Sequence, residues 1–230
     1  MRQIVFDTET TGIDPGQGNR VIEIGCVELE NRKLTGNNFH CYINPQRDSE
    51  PGALEVHGLT SEFLADKPLF SDIAEAFVDY IRGAELIAHN AAFDVRFLNH
   101  EFALDGGRFG SIESLCEVTD SLQIAKYKHP GSPNSLDALC RRYQVDNSSR
   151  ELHGALLDAR LLAEVYLRMT GGQTGLELHG SSEASGRQTA ESVRKVDTSL
   201  ILPVVPADEA ELAEHEAYLR LLDSKSDGGC

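Results

Sequence analysis

The chain has 230 residues, enough for one sizeable domain with extensions or for two small ones. With 40% hydrophobic and 25% charged residues it has the composition of a globular protein, and no run approaches the roughly 18 apolar residues of a membrane span. Its 21 Lys+Arg against 37 Asp+Glu give a net charge of −16, which excludes a protein that holds nucleic acid by phosphate neutralisation alone.

The first residues, MRQIVFD, read as no signal peptide, because the apolar stretch ends at Asp7. Residues 2–6 read as a short buried strand, VIEIGCVELE (21–30) as a second, and NNFHCYIN (37–44) as a third that forms an antiparallel hairpin with it. SDIAEAFVDYIRG (71–83) predicts a helix with Ser71 as N-cap and a Gly stop. ELIAH (85–89) reads as a fourth strand, and Asn90 as the cap of the helix AAFDVRFLNHEFAL. Residues 111–128 read as a strand followed by a helix, Ser135 as the cap of LDALCRRY, and HGALLDARLLAEVYLRM (153–169) as a last long helix. Three strands in a meander, then strands alternating with helices, predict an α/β domain with a mixed sheet flanked by helices. After Met169 the texture changes. Residues 171–195 are rich in Gly, Ser and Thr and read as a flexible linker. In 196–230 a proline-broken extended stretch precedes an amphipathic helix starting at Asp208, too little chain for its own core, so this tail ending needs a surface to dock on. Cys26, Cys41, Cys116, Cys140 and Cys230, odd in number and scattered, read as reduced thiols of a cytoplasmic protein.

Chemistry concentrates at a few positions. Asp7 and Glu9 are two apart, so they aim together if the first strand continues that far. Adjacent carboxylates repel unless a cation sits between them, and oxygen-only ligands favour Mg²⁺ or Mn²⁺; a plain strand end running into a turn is the alternative. Asp94 falls in the first turn of its helix, near the C-terminal end of a strand, where the helix dipole alone would also favour it. Asp158 shares a helical face with Leu161, Leu162 and Val165, the face that packs on the sheet. A carboxylate turned inward costs several kcal/mol unless coordinated or paired, so a metal or an Arg partner is required. His153 lies about 140° around an ideal helix from Asp158. The two serve one site only if His153 sits in the loop before the helix, where it could deprotonate a water; a surface histidine is the plainer reading.

DTETTG (7–12), HNAAFD (89–94) and HGALLD (153–158), in this order, resemble the three motifs of the DEDD superfamily of 3′–5′ exonucleases, which have a ribonuclease H-like fold. The five-residue step from His153 to Asp158 is that of the His-type branch; the Tyr-type branch has Tyr where Gly154 stands. The similarity spans residues 2–170 and is greatest to the epsilon-type proofreading nucleases of bacterial DNA polymerase III, which VHGL (56–59) and NSLDALCRRY (134–143) also resemble. The resemblance implies two divalent ions, with Asp7 bridging both, Glu9 and Asp158 completing the one that holds the attacking water, Asp94 supporting the second, and His153 taking the proton. It implies release of nucleoside 5′-monophosphates from a single-stranded or frayed 3′ end of DNA. It also implies that Glu9, Thr10 and Thr11 hold the terminal 3′ hydroxyl, while Val56, His57, Phe93 and His153 surround the terminal nucleotide. For Phe93 and Val56 ordinary core packing is the equal alternative.

Within the linker, Gln173, Leu176 and Leu178 resemble the QxxLxL peptide that binds the bacterial sliding clamp (beta), or are linker with stray leucines. Residues 196–222 resemble the segment that docks on the polymerase catalytic (alpha) subunit, with Leu200, Ile201, Leu212, Leu219 and Leu222 as anchors; a further small accessory subunit belongs to the same picture. Residues 171–230 carry 5 basic and 11 acidic groups, which leaves −10 on residues 1–170. The nuclease domain is thus itself acidic, and tethering through the tail would substitute for intrinsic DNA affinity. The competing expectations are a ribonuclease T-like or oligoribonuclease-like exoribonuclease, and a bridging subunit with a degenerate nuclease domain.

Overall fold

The N-terminal strand does not stop at Asp7. In the computed structural model, which describes residues 1–148 and 152–171 together with 208, 210–213, 215, 216 and 219, β1 runs Arg2–Thr10. It continues because β2 (Val21–Glu30) pairs with it antiparallel along its length, from Arg2↔Glu30 to Thr10↔Val21. Backbone pairing decides where a strand ends, and a polar side chain on an otherwise paired strand is no obstacle. A register shift between Glu9 and Thr10 marks a bulge at the end of the pairing.

Two strands stand where one was expected. β3 (Lys33–Leu34) and β4 (Phe39–Tyr42) both pair antiparallel with β2, separated by a turn at left-handed Gly36 (φ 83°). Next come two short helices that periodicity does not reveal, α1 (Pro51–His57) and α2 (Ser61–Leu64). α1 is exposed over most of its length, so it has no apolar stripe; its signals are its ends, Pro51 in the first turn and left-handed Gly58 at its C-cap. α3 (Phe70–Ile81) starts one residue before Ser71, and its first turn is closed by Asp72, which accepts from the Leu69 amide at 2.9 Å.

β5 (Glu85–Ala88) lies parallel to β1 and leads into α4 (Ala91–Leu104). Asn90 does not cap α4 with its side chain. It adopts a left-handed backbone (φ 72°) that Asn tolerates, and its amide donates to Asp120 Oδ1 at 3.1 Å. α5 (Ile112–Leu115) precedes β6 (Glu117–Asp120), parallel to β5, and α6 (Ser121–Lys128). Ser135 caps α7 (Leu136–Tyr143) as expected, accepting from the Ala138 amide, and α8 (Ala155–Thr170) closes the domain.

The sheet order is β3-β2-β1-β5-β6, with β4 also on β2. Alternation along β1 divides the core in two: Ile4 and Phe6 pack with α3 and α4, Val5 with α7 and α8. A mixed sheet flanked by helices is the architecture expected from the sequence. Cys26, Cys41, Cys116 and Cys140 are free thiols. Among the described residues no helix is long and apolar enough to cross a membrane.

The chain divides into Met1–Leu178 and His179–Cys230. In the second unit Asp208 Oδ1 accepts from the Glu211 amide at 2.8 Å, and Glu211 Oε2 accepts from the Asp208 amide at 3.0 Å, a reciprocal cap for the helical residues 210–213. Leu212 and Leu219 are exposed. Gln173, Leu176, Leu178, Leu200, Ile201 and Leu222 lie outside the described residues.

One ion pair ties the start of β2 to α4. Arg20 donates to both carboxylate oxygens of buried Glu101 at 2.8 and 2.7 Å, and the Val21 amide donates to the same carboxylate at 3.0 Å. Removing Glu101 leaves the buried Val21 amide without its acceptor and the partly exposed Arg20 without its partner. Glu101→Ala is expected to lower unfolding free energy by about 1.5–3 kcal/mol, measured by urea denaturation; a loss below about 1 kcal/mol would show the pair to be as weak as a surface bridge.

Candidate active site

The end of β1 sends alternate side chains to opposite faces of the sheet. Asp7 and Glu9 lie on the face of Val5, the face α8 covers; Thr8 lies on the face of Phe6, towards α4. α8 reaches Asp7 because of one glycine. Gly25 stands opposite Asp7 in the β1/β2 register, and a Cβ there would overlap the backbone of Ala155 and Leu156. Only the missing side chain lets the first turn of α8 rest on β2, which brings Asp158 to the carboxylates of β1. Asp158 is 3% exposed and its amide donates to Gly154 O at 2.9 Å.

His153 sits in the loop before α8, which starts at Ala155 and not at residue 153, and this is the position a site shared with Asp158 needs. Its amide donates to Val56 O at 3.1 Å, so the end of α1 holds this loop in place. Its Nδ1 lies 3.3 Å from Asp158 Oδ2, while the ring stays half exposed. Ligand atoms of Glu9, His153 and Asp158 lie within 4.8 Å of one another.

Asp94 arrives from the other side of β1. Its Oδ1 accepts from the Thr8 amide at 3.1 Å and the Thr8 hydroxyl at 2.7 Å. Burial raises its pKa from 3.8 to about 7, a rise that the two Thr8 donors moderate and the nearby Asp120 carboxylate reinforces.

Asp7, Glu9, Asp94, Asp158 and His153 thus line one cleft of about 290 Å³, with Phe93 also in its wall. His89, Asn90, Ser135 and Asp137 line it too. The sequence by itself gives these no chemical role: His89 and Asn90 open one motif, and Asn90 and Ser135 read as helix caps. Five carboxylates in one cleft repel one another, and an oxygen-rich set with two imidazoles suits a hard divalent cation. An adjoining pocket of about 270 Å³ shares Thr8, Glu9 and Phe93 with the cleft and adds Thr10, Val56 and His57. His57 Nδ1 accepts from the Leu59 amide at 2.9 Å, so its proton is on Nε2, which is buried without a hydrogen-bond partner. Burial lowers its pKa and keeps the ring neutral. Thr11 lines neither cavity: its amide donates to Arg20 O, its carbonyl accepts from the Glu50 amide and its hydroxyl donates to Asn19, so it braces the loop from behind.

The sequence profile of the Exonuclease family, RNase_T, matches residues 4–166. DNA polymerase III subunit epsilon of Escherichia coli (strain K12) is 51% identical over 234 residues, covering 100% of this chain and 96% of that protein. The protein of the same name from Rickettsia felis is 46% identical over 220 residues, covering 95% and 96%. The chain belongs to the DNA polymerase III epsilon family of exonucleases. Among solved structures, Exonuclease X in complex with 5′ overhanging duplex DNA is similar at 26% identity and a TM-score of 0.56, covering 73% of this chain and 89% of that one. The nuclease domain of 3′hExo, a DEDDh family member bound to rAMP, shares the fold at 20% identity and a TM-score of 0.60, covering 73% and 90%. This epsilon-family chain is therefore a 3′–5′ exonuclease with a ribonuclease H-like fold, in a metal-dependent family.

Gly25→Ala is expected to cost about 1–3 kcal/mol of stability and to cut exonuclease activity at least tenfold by lifting Asp158 away; unchanged kcat/KM would show that α8 adjusts freely. Asp94 adds a pH signature. The folded chain holds its proton up to about 7, the unfolded chain only to 3.8, so the folded state binds the extra proton between them. In chelator the melting temperature should therefore fall as pH rises from about 4 to about 7, and Asp94→Asn should flatten this slope; a parallel slope in the variant would assign it to other groups.

Proposed function

We propose that this epsilon-family chain proofreads DNA synthesis, removing mispaired 3′-terminal nucleotides as nucleoside 5′-monophosphates while attached to a replicative polymerase. The observation that carries this reading is the convergence of Asp7, Glu9, Asp94, Asp158 and His153 on one cleft beside an apolar pocket of nucleotide size. The relatives' name supplies the replicative setting.

Asp7, Glu9, Asp94 and Asp158 would hold two divalent ions, Mg²⁺ or Mn²⁺. When bound, such ions supply positive charge to the phosphodiester and lower the pKa of the attacking water. His153 accepts the proton of that water, and Asp158, 3.3 Å from its Nδ1, orients the ring and stabilises the imidazolium. Water attacks the last phosphorus, the P–O3′ bond breaks, and the shortened strand leaves with a 3′ hydroxyl. Glu9 and Thr10 receive the 3′ hydroxyl of the departing nucleotide. Val56, Phe93 and His57 flank that nucleotide. Thr11 acts through the loop it braces.

Residues 1–170 form the nuclease, 171–195 a linker and 196–230 the docking segment. The Gln173–Leu176–Leu178 peptide engages the sliding clamp, and Leu200, Ile201, Leu212, Leu219 and Leu222 engage the polymerase catalytic subunit. With net −10 on residues 1–170, affinity for DNA is weak and tethering provides a millimolar-scale effective concentration.

Asp7→Ala and Asp158→Ala should each abolish Mg²⁺-dependent release of nucleoside monophosphates from a mispaired primer while the protein stays folded by circular dichroism. His153→Ala should lower kcat by about 10²-fold and flatten the acidic limb of the pH profile. Full activity in either aspartate variant would refute the site, and faster digestion of RNA than DNA would refute the substrate.

A further inference from the structure

Three depressions follow one another along the active face. The apolar pocket shares Thr8, Glu9 and Phe93 with the catalytic cleft, and a groove of about 430 Å³ shares His89 and Ser135 with it. Pocket and groove have no wall residue in common, so the cleft lies between them. A strand whose last nucleotide fills the pocket, with its scissile phosphate at the carboxylates, leaves towards the groove. The groove is walled by Lys126 of α6 and by Ser132 and Asn134 of the loop before α7.

The charge there opposes that of the rest of the domain. Residues 1–170 carry net −10, yet residues 126–142 hold Lys126, Lys128, Arg141 and Arg142 against Asp137 alone, net +3. Tyr127, 88% exposed, projects between two exposed lysines. The loop beneath is held in shape: His89 Nε2 donates to Asn134 O at 2.8 Å, and Arg142 donates to Asn134 Oδ1 at 3.1 Å and Pro133 O at 2.9 Å. His89 thus joins cleft wall to groove wall.

We propose that this groove is the track of the single strand immediately 5′ of the bond being cut, with Lys126 on a backbone phosphate and Tyr127 as a stacking platform for a base. The proposal rests on the exonuclease reading of the cleft. A cation in the groove wall, next in the chain to an exposed aromatic ring, is the chemistry that holds single strands without regard to sequence, which an enzyme removing any terminal nucleotide needs. A net positive segment beside the cleft, on a domain that is otherwise acidic, favours binding of a strand in the productive place.

The test compares two substrates on the full chain. A single-stranded oligodeoxynucleotide reaches the groove; the p-nitrophenyl ester of thymidine 5′-monophosphate ends at the scissile phosphate. Lys126→Glu should raise KM for the strand about five- to tenfold with kcat retained, and reduce the slope of log(kcat/KM) against log[salt] by about 0.7. Tyr127→Ala should raise the same KM, and ester hydrolysis should be unaltered in both variants. Lys33→Glu, an equal charge reversal at the exposed β3 edge, should leave the strand KM unchanged. Unchanged KM and salt slope in Lys126→Glu and Tyr127→Ala would overturn the proposal and mark the patch as a protein-binding surface. An equal rise in Lys33→Glu would overturn it too, assigning the effect to net charge. Failure of the wild-type chain to cleave the ester would instead strike the catalytic reading itself.

Discussion

The first turn of α8 rests directly on the backbone of β2 at Gly25, and the cleft depends on that contact. Asp7 is paired with Gly25 across the β1/β2 ladder, so the absence of one Cβ fixes how near Asp158 comes to Asp7 and Glu9. The same approach leaves residue 153 outside the helix, where the Val56 carbonyl catches its amide. Four elements far apart in sequence, β1, β2, α1 and α8, therefore set one distance. On the other face, Thr8 supplies two donors to Asp94. β1 is the common wall because its two faces carry different halves of the chemistry.

Such a cleft is costly to fold. Asp94 and Asp158 are buried among other carboxylates, and burial alone pushes Asp94 towards its neutral form. The scaffold offsets this with well-packed layers on both sides of the sheet and with a bidentate Arg20–Glu101 pair that locks α4 to β2. A divalent cation would relieve the repulsion that folding creates, so the energetic defect and the proposed cofactor preference share one cause.

The net charge fits the same division of labour. An acidic surface disfavours indiscriminate binding to DNA, and the basic stretch 126–142 stands next to the cleft, where a strand would need it. Asp208 and Glu211 cap each other in the C-terminal unit, so that helix start is locally encoded. Its exposed Leu212 and Leu219 accord with a segment that gains its burial from a partner.

Local information determined a good deal. The helices α3, α4, α7 and α8 follow from apolar periodicity, and α7 also from its Ser135 cap, whereas neither Ser71 nor Asn90 caps with its side chain; the five candidate residues come from three short motifs. The loop position of His153 follows from helical geometry on the condition that it shares a site with Asp158, because a five-residue step cannot share a face with it. What local information does not contain is which backbone pairs with which. The extension of β1 through Glu9, the contact at Gly25 and the Thr8–Asp94 bonds all join residues distant in sequence. The short helix α1 lacks an apolar stripe, so only its Pro and Gly ends hinted at it. The groove beside the cleft joins His89 to a loop some 45 residues later. The amino-acid sequence by itself thus named the candidate reactive groups and most of the elements around them. Only the tertiary structure decided their distances, their burial and the path leading away from them, because those are set by long-range pairing and close packing that no single stretch of chain specifies.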